Sequence, residues 1–440
     1  MKAPICDFIN EYINKDTVRF HMPGHKGKAL LGFEKYDITE FTGADCLYDA
    51  KGIIMESESN AASLFGSGQS LYSCEGSSLC IRAMVYLAKT YSQGNGNYVL
   101  AGRNAHSSFI SACALNDLDV KWLYSGKGES YLSCKITEGI LENALGSVDK
   151  LPCCVYITSP DYLGNICDIK SLSRVCKRYG VPLLVDNAHG AYLRFLEHDL
   201  HPISQGADMC CDSAHKTLPV LTGGAYLHIS KHAPEFFKEQ GKSALALFGS
   251  TSPSYLILAS LDYANKLLWD GYGKKINALA KALKEFEKFE FIKINEPLKL
   301  TVEASKIGHR GHDFAKILEN NGIMCEFYDK DFCVLMITPE NDALQLEKLK
   351  NVLSQIDIKC EIKQSNYDLI TPVKKMSIRE AIYSKRVRVP LENALGRVLA
   401  SPNITCPPAV SLIVCGEEFN ESVIKLCKEY RIDSCYVVDK

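Results

Sequence analysis

Asp212-Ser213-Ala214-His215-Lys216-Thr217-Leu218 stands just beyond the apolar run Met209–Asp212 and is followed by Leu221-Thr222-Gly223-Gly224. A short apolar run bounded by turn residues reads as a buried strand. In open α/β sheets, ligands bind beyond the carboxyl ends of the strands, so this loop lies where a ligand site belongs. A lysine there must reach water, meet an anion or lose its charge, and a Schiff base with an aldehyde cofactor is one way of losing it. Taken alone, the residue reads equally well as a surface or anion-binding lysine.

Working outward, the same strand-then-loop pattern recurs. Val185-Asp186-Asn187-Ala188-His189-Gly190 closes the expected strand Pro182–Val185. A carboxylate at a strand end can hold a pyridine nitrogen protonated, and an Asp there also serves as a helix N-cap. Gly76-Ser77-Ser78 precedes the helix-like stretch Leu79–Lys89. Such an entrance offers amides and hydroxyls to a phosphate, though the motif alone is common. Arg103-Asn104-Ala105-His106-Ser107-Ser108 follows the expected strand Tyr98–Ala101. His106 could stack on a planar ring; a lone histidine is more often structural. A phosphate loop, a stacking imidazole, a ring-nitrogen carboxylate and a Schiff-base lysine, each after its own strand, together predict a pyridoxal 5′-phosphate (PLP) domain.

The rest of the chain fits a large α/β protein. Further strands are expected at Cys153–Thr158 and Ala225–Ile229, and a helix at Ile169–Tyr179 with apolar residues at three- and four-residue steps. Residues Tyr255–Phe289 read as one long helix. Strand, helix, strand, helix (Phe291–Ile294, His312–Asn320, Phe332–Ile337, Ala343–Ile356) then predict a small α+β domain, and a further segment with the helix-like Ser377–Ser384 follows the polar stretch Lys363–Asp368. The expected division is an arm (1–50), a large domain (51–260), a linker helix with the small domain (261–365) and a C-terminal domain (366–440). A length of 440 residues, 46% hydrophobic and 23% charged, suits a packed multidomain fold.

A formal charge of −2 gives no field for gathering nucleic acid or an anionic membrane. The amino terminus lacks signal-peptide form, and no run is long enough to span a bilayer. The nineteen cysteines are scattered and odd in number, which predicts buried free thiols in a reducing cytoplasm. The absence of Cys-x-x-Cys removes the usual zinc signatures, and no metal is expected.

With these residues set out, the chain resembles the Orn/Lys/Arg decarboxylase family of fold-type-I PLP enzymes. Arg19-Phe20-His21-Met22-Pro23-Gly24-His25-Lys26-Gly27 is similar to that family's Pro-Gly-His-Lys opening, and Asp37-Ile38-Thr39-Glu40 with Gly43-Ala44-Asp45-Cys46-Leu47-Tyr48 to its next segment. Ala394-Leu395-Gly396-Arg397-Val398, Pro407-Pro408 and Gly416-Glu417 resemble its C-terminal domain. The resemblance implies an α/β fold-type-I large domain with a mostly parallel sheet, a small α+β domain and a C-terminal decarboxylase-type domain. It implies Lys216 as the Schiff-base lysine, Asp186 as partner of the ring nitrogen, and His106 stacked on the ring. Gly76, Ser77, Ser78, Ser213 and His215 would hold the phosphate, with Ala188 and His189 alongside the cofactor. It also implies a homodimer or dimer of dimers, with the arm and His25 near the active sites. Nothing in the chain corresponds to the wing domain of the large members, so a decamer is not expected. The pattern departs at Pro407-Pro408-Ala409-Val410-Ser411 and Cys415-Gly416-Glu417, which puts the substrate in question.

The implied reaction is decarboxylation of a basic L-amino acid, arginine, lysine or ornithine, with His25, Asp45 and Glu417 as candidates for substrate contact; Asp45 and Glu417, the candidates for the distal cation, read more readily as structural. Aminotransfer or another lyase reaction is the alternative, with Arg310, Arg379 or Arg397 available to clamp a substrate carboxylate. A catalytically silent PLP-binding relative is the other.

Overall fold

The computed structural model describes residues 1–125, 132–363, 371–406 and 410–439; the departure at Pro407-Pro408-Ala409 lies outside them. Apolar five- and four-residue runs become the strands of a large sheet: β1 (Gln69–Ser73), β2 (Tyr98–Gly102), β3 (Asp119–Leu123), β4 (Cys154–Thr158), β5 (Leu183–Asp186), β6 (Met209–Asp212) and β7 (Ala225–Ile229). Their order is β1-β7-β6-β5-β4-β2-β3. β5 with β6, β4 with β2 and β2 with β3 are parallel, whereas β7 runs antiparallel to both β6 and β1. The mostly parallel α/β sheet expected from the sequence is therefore present. Strands β2, β5, β6 and β7 are buried along their whole length, which is why they read as continuous apolar runs rather than alternating ones.

The chain forms two compact units, Met1–Tyr91 with Pro182–Ala278, and Ser92–Val181 with Leu279–Lys440. In the first, helix Ile53–Phe65 stops at Gly66, whose φ of 71° suits a residue without a side chain. Helix Gly76–Tyr91 then buries Leu79, Ala83, Met84, Leu87 and Ala88, the face that positions its head beside the sheet. The expected helix Tyr255–Phe289 is instead broken. Helix Tyr255–Leu267 passes through a five-residue π turn in which Gly271 takes φ 105°, and resumes at Gly273. Side-chain periodicity continues across this break, so the pattern of apolar residues does not register it.

In the second unit, helix Ile169–Tyr179 is capped by Asp168, whose side chain accepts from Ser171 N, and ends on Gly180 at φ 65°. A smaller antiparallel sheet has the order β10-β11-β9-β8, from β8 (Ile292–Lys293), β9 (Lys299–Glu303), β10 (Phe327–Tyr328) and β11 (Phe332–Met336). Two antiparallel pairs complete the C-terminal part, β12 (Arg386–Pro390) with β15 (Ser434–Val438) and β13 (Asn403–Cys406) with β14 (Val410–Val414). Leu391, Leu399, Ile413, Phe419, Val423 and Val437 form the apolar centre around which they fold. No helix among the described residues is long and apolar enough to cross a membrane.

Candidate active site

Lys216 lies in the one-turn helix Ala214–Thr217 that leaves β6, held by its amide to Ser213 O at 2.9 Å. Its Nζ is 3.0 Å from Nε2 of His189. His189 is almost fully buried on the turn that leaves β5, three residues beyond Asp186. At that distance the two nitrogens are hydrogen-bonded, with the direction set by the tautomer of the imidazole. Asp186 is buried; its Oδ1 accepts from Ala188 N at 3.2 Å and from Cys211 Sγ at 3.7 Å. Burial and the neighbouring Asp186 push the Cys211 thiol well up, so it acts as a neutral donor.

Beyond β1 the chain turns at Gly76, φ 68°, whose amide donates to Gly223 O at 2.7 Å. The side of Gly76 where a Cβ would sit has no heavy atom within 4 Å, leaving an open approach to the head of the helix. Ser213 Oγ donates to Ser77 Oγ at 2.9 Å, bringing the loops after β6 and β1 together there. Hydroxyls at a helix amino end form a place for an anion. His215 is half-buried, with Nδ1 donating to Gly224 O at 2.9 Å. Burial lowers its pKa, as does the nearby Lys216, so it is neutral near pH 7. Lys216, His189, Asp186, Ala188, Ser77, Ser213 and His215 thus belong to one unit, on the loops after the adjacent strands β5 and β6 and, beyond the intervening β7, after β1.

His106 belongs to the second unit, beyond β2. It N-caps helix Ser107–Leu115, its Nδ1 accepting from Ser108 N at 3.1 Å, which places the proton of the neutral ring on Nε2. The other candidates carry visible structural duties. Glu417 is buried and takes both outer nitrogens of Arg103 at 2.9 Å each, while its Oε2 also accepts from Val414 N at 2.7 Å. Asp45 accepts from the amides of Cys46, Lys51, Gly52 and Ile54, all within 2.9 Å; burial opposes ionisation, but these donors outweigh it and hold the carboxyl below its usual range. His25 meets Asp37 at 3.1 Å. Arg310 pairs with Asp331, Arg379 donates to the carbonyls of Ala114 and Leu115, and Arg397 donates to that of Val438.

A family model for the major domain of Orn/Lys/Arg decarboxylases matches residues 3–301. The chain belongs to the Orn/Lys/Arg decarboxylase family. By that membership it is an amino-acid decarboxylase. It is 28% identical over 464 residues to the YaaO protein of Bacillus subtilis (strain 168), covering 97% of this chain and 94% of the relative. It is also 28% identical over 463 residues to the arginine decarboxylase of the same organism, with 96% and 92% covered. Among solved structures, the Francisella novicida lysine decarboxylase LdcF superposes with a TM-score of 0.80 at 17% identity, over 99% of this chain and 81% of that one. That likeness bears out the expected fold-type-I architecture.

The sequence did not single out Asn187, His201, Asp212 or His228, which lie within or beside the site loops. Asp212 was legible as a charge closing a strand whose other residues are all apolar, and such a residue needs buried partners.

Proposed function

We propose that this chain carries PLP on Lys216 and decarboxylates a basic L-amino acid, arginine first, to the corresponding amine and CO2. The observation that carries the reading is the 3.0 Å contact between Lys216 Nζ and His189 Nε2, with the buried carboxylate of Asp186 at the end of the strand that leads to His189. The residues suit the cofactor: a hydroxyl pair and an open glycine at a helix head for the phosphate, a carboxylate for the ring nitrogen, and an amine for the aldehyde. When bound, PLP supplies a carbonyl that an amine can hold covalently and a ring that accepts the electron pair left at the substrate α-carbon.

Within that scheme, Ser77, Ser78, Ser213 and His215 hold the phosphate, with the amides at the head of Gly76–Tyr91. Asp186 would keep the ring nitrogen protonated, and His106 would offer its flat imidazole for stacking. His189 Nε2, 3.0 Å from Lys216 Nζ, would orient the amine toward the aldehyde. Lys216 Nζ or His106 Nε2 would supply the proton that the substrate α-carbon takes up. Decarboxylation rather than aminotransfer is favoured because Arg310, Arg379 and Arg397, the candidates for a carboxylate clamp, are committed to other partners. Arginine is placed first because a relative named arginine decarboxylase aligns over nearly the whole chain.

The active form is a homodimer or dimer of dimers in the cytoplasm. Val18, Phe20, Leu30 and Leu31 of the arm are 75%, 94%, 78% and 78% exposed, a run of apolar surface that a second copy would cover. Purified protein should show a visible cofactor band and release CO2 and agmatine from arginine, with slower or no turnover of lysine, ornithine and neutral amino acids. A band without CO2 release from any of them would overturn the decarboxylase reading, and a monomer in solution would overturn the dimer.

A further inference from the structure

Asp212 is fully buried at the end of β6, and its carboxylate is surrounded by donors from three other segments. Oδ1 accepts from Asn187 Nδ2 at 2.7 Å. Oδ2 accepts from Nε2 of His201 at 3.0 Å and from Nε2 of His228 at 3.2 Å. His201 and His228 are fully buried as well. A carboxylate only accepts, so each imidazole carries its proton on Nε2. His228 Nδ1 is then an acceptor, and Ser70 Oγ stands 2.7 Å from it, with Ser67 Oγ 2.8 Å further along. The sheet register explains the line-up: on antiparallel β7, His228 lies opposite both Ser70 of β1 and Cys210 of β6, and Asp212 follows Cys210 on the same face.

Removing a carboxylate from water costs several kcal/mol, more than ordinary packing at that position would. The two imidazoles hold Asp212 ionised against that cost, well below the usual carboxylate range. Such an arrangement has an effect on what is attached to it. Asn187 sits between Asp186 and His189, its amide continuing the ladder to Cys211 O at 3.0 Å and its carbonyl accepting from Gly190 N at 2.7 Å. The turn is so tight that a Cβ on Gly190 would stand 2.0 Å from Asn187 Oδ1. Asp212 itself precedes Ser213, the residue that meets Ser77. One carboxylate therefore pins the turn carrying Asp186 and His189, leads directly into the loop carrying Ser213 and Lys216, and is tied through His228 and Ser70 to the strand leading to Ser77.

We propose that Asp212, held by His201, His228 and Asn187, is a positioning residue that fixes the mutual spacing of the three strand-end loops on which the cofactor is bound. The inference rests on the PLP reading above. It assigns Asp212 no contact with cofactor or substrate; it acts by keeping Asp186, His189, Lys216 and Ser213 in register, as outer-shell groups do for the groups they orient.

The test uses the full-length protein as purified, with Asp212→Asn and, as a milder change at the far end of the same network, Ser70→Ala. Asn keeps the shape but presents an N–H to one of three donors; Ala removes only the hydroxyl facing His228. Far-UV circular dichroism and sedimentation identify folded protein, and PLP is titrated into stripped protein while its visible absorbance and induced circular dichroism are followed. Asp212→Asn should weaken PLP binding by about tenfold or more, the range seen when outer-shell partners are removed, and alter the induced dichroism of the PLP that remains bound. Ser70→Ala should move both in the same direction by less. Folded variants with wild-type PLP affinity and dichroism would overturn the proposal, and Ser70→Ala alone decides the matter if Asp212→Asn does not fold. Ligand-type atoms of His201, Cys210 and Asp212 lie within 4.8 Å of one another; one zinc per wild-type chain by elemental analysis would equally overturn it, because Asp212 would then be a metal ligand. A wild-type protein that forms no PLP band refutes the reading beneath, whereas a normal wild type with unaffected variants refutes only this inference.

Discussion

Replacing Glu417 by Gln separates a structural role for that residue from a substrate-binding one. In the folded protein both carboxylate oxygens meet Arg103 at 2.9 Å, Val414 N donates to Oε2 at 2.7 Å, and the guanidinium lies 4.8 Å from the centre of the Trp122 ring. Both side chains are almost fully buried, at 9% and 5% exposure. Gln offers one acceptor and turns an N–H toward a guanidinium that can only donate. One charge-assisted bond is lost and a cation is left without its counter-charge, a change worth about 3–5 kcal/mol in a buried pair. The urea-unfolding free energy should fall by that amount for Glu417→Gln. The double variant Arg103→Met/Glu417→Leu should recover much of the loss, because paired apolar replacements of similar volume are often close to neutral. At a temperature where Glu417→Gln is folded, KM for arginine should stay within about twofold, since an occupied carboxylate contributes little uniform binding. Unchanged stability with a KM raised tenfold or more would refute the reasoning and return Glu417 to the substrate pocket.

Asp262 receives the first amides of helix Pro4–Asn14, from Ile5 and Cys6, and the Ser57 hydroxyl; burial outweighs these donors and raises its pKa from the ordinary 3.8 to about 6. A raised carboxyl binds its proton more tightly folded than unfolded, so its contribution is fullest below pH 3.8 and is lost as pH rises through about 6. Relative to Asp262→Asn, the wild type should therefore lose on the order of 3 kcal/mol of stability between pH 4 and pH 8, measured by urea unfolding at each pH; parallel profiles would contradict this. Gly223 holds φ 99° and a Cβ there would lie 2.8 Å from Cys74 O, while its own carbonyl anchors the Gly76 amide. Gly223→Ala should cost about 1–3 kcal/mol of local strain and release PLP on dialysis from protein with wild-type far-UV dichroism; full PLP retention would contradict the placement of the phosphate.

Much of the large sheet was legible because its strands are buried on both faces. Met209–Asp212 and Ala225–Ile229 were read with the boundaries they have, as was the amphipathic helix Ile169–Tyr179. The strand before the phosphate loop, β1, was anticipated only over Leu71–Ser73, because Gln69 and Ser70 look like loop residues, although Ser70 is buried against His228. β3 lies at the end of the strand order, and its Asp119 and Lys121 interrupt the apolar run. β9 carries a fully buried lysine, Lys299, whose ammonium pairs with Glu296 at 2.8 Å and donates to Asp161 O at 3.1 Å. Its charge hid the strand.

In the site, residues on a strand end could be found locally, as Asp186 and Lys216 were. What could not be found are the pairings across the fold: His189 with Lys216, Asn187 with Asp212, and Arg103 with a glutamate 314 residues away. Each depends on where a loop closes in space, and nothing in the local pattern encodes that distance.

Lys216 is the proposed point of covalent attachment of PLP. Reduction of the purified protein with borohydride, followed by peptide mass mapping, should place a single reduced pyridoxyl phosphate on the peptide containing Lys216 and none on Lys216→Ala. A label on another lysine, or an unlabelled wild-type protein saturated with PLP, would contradict it.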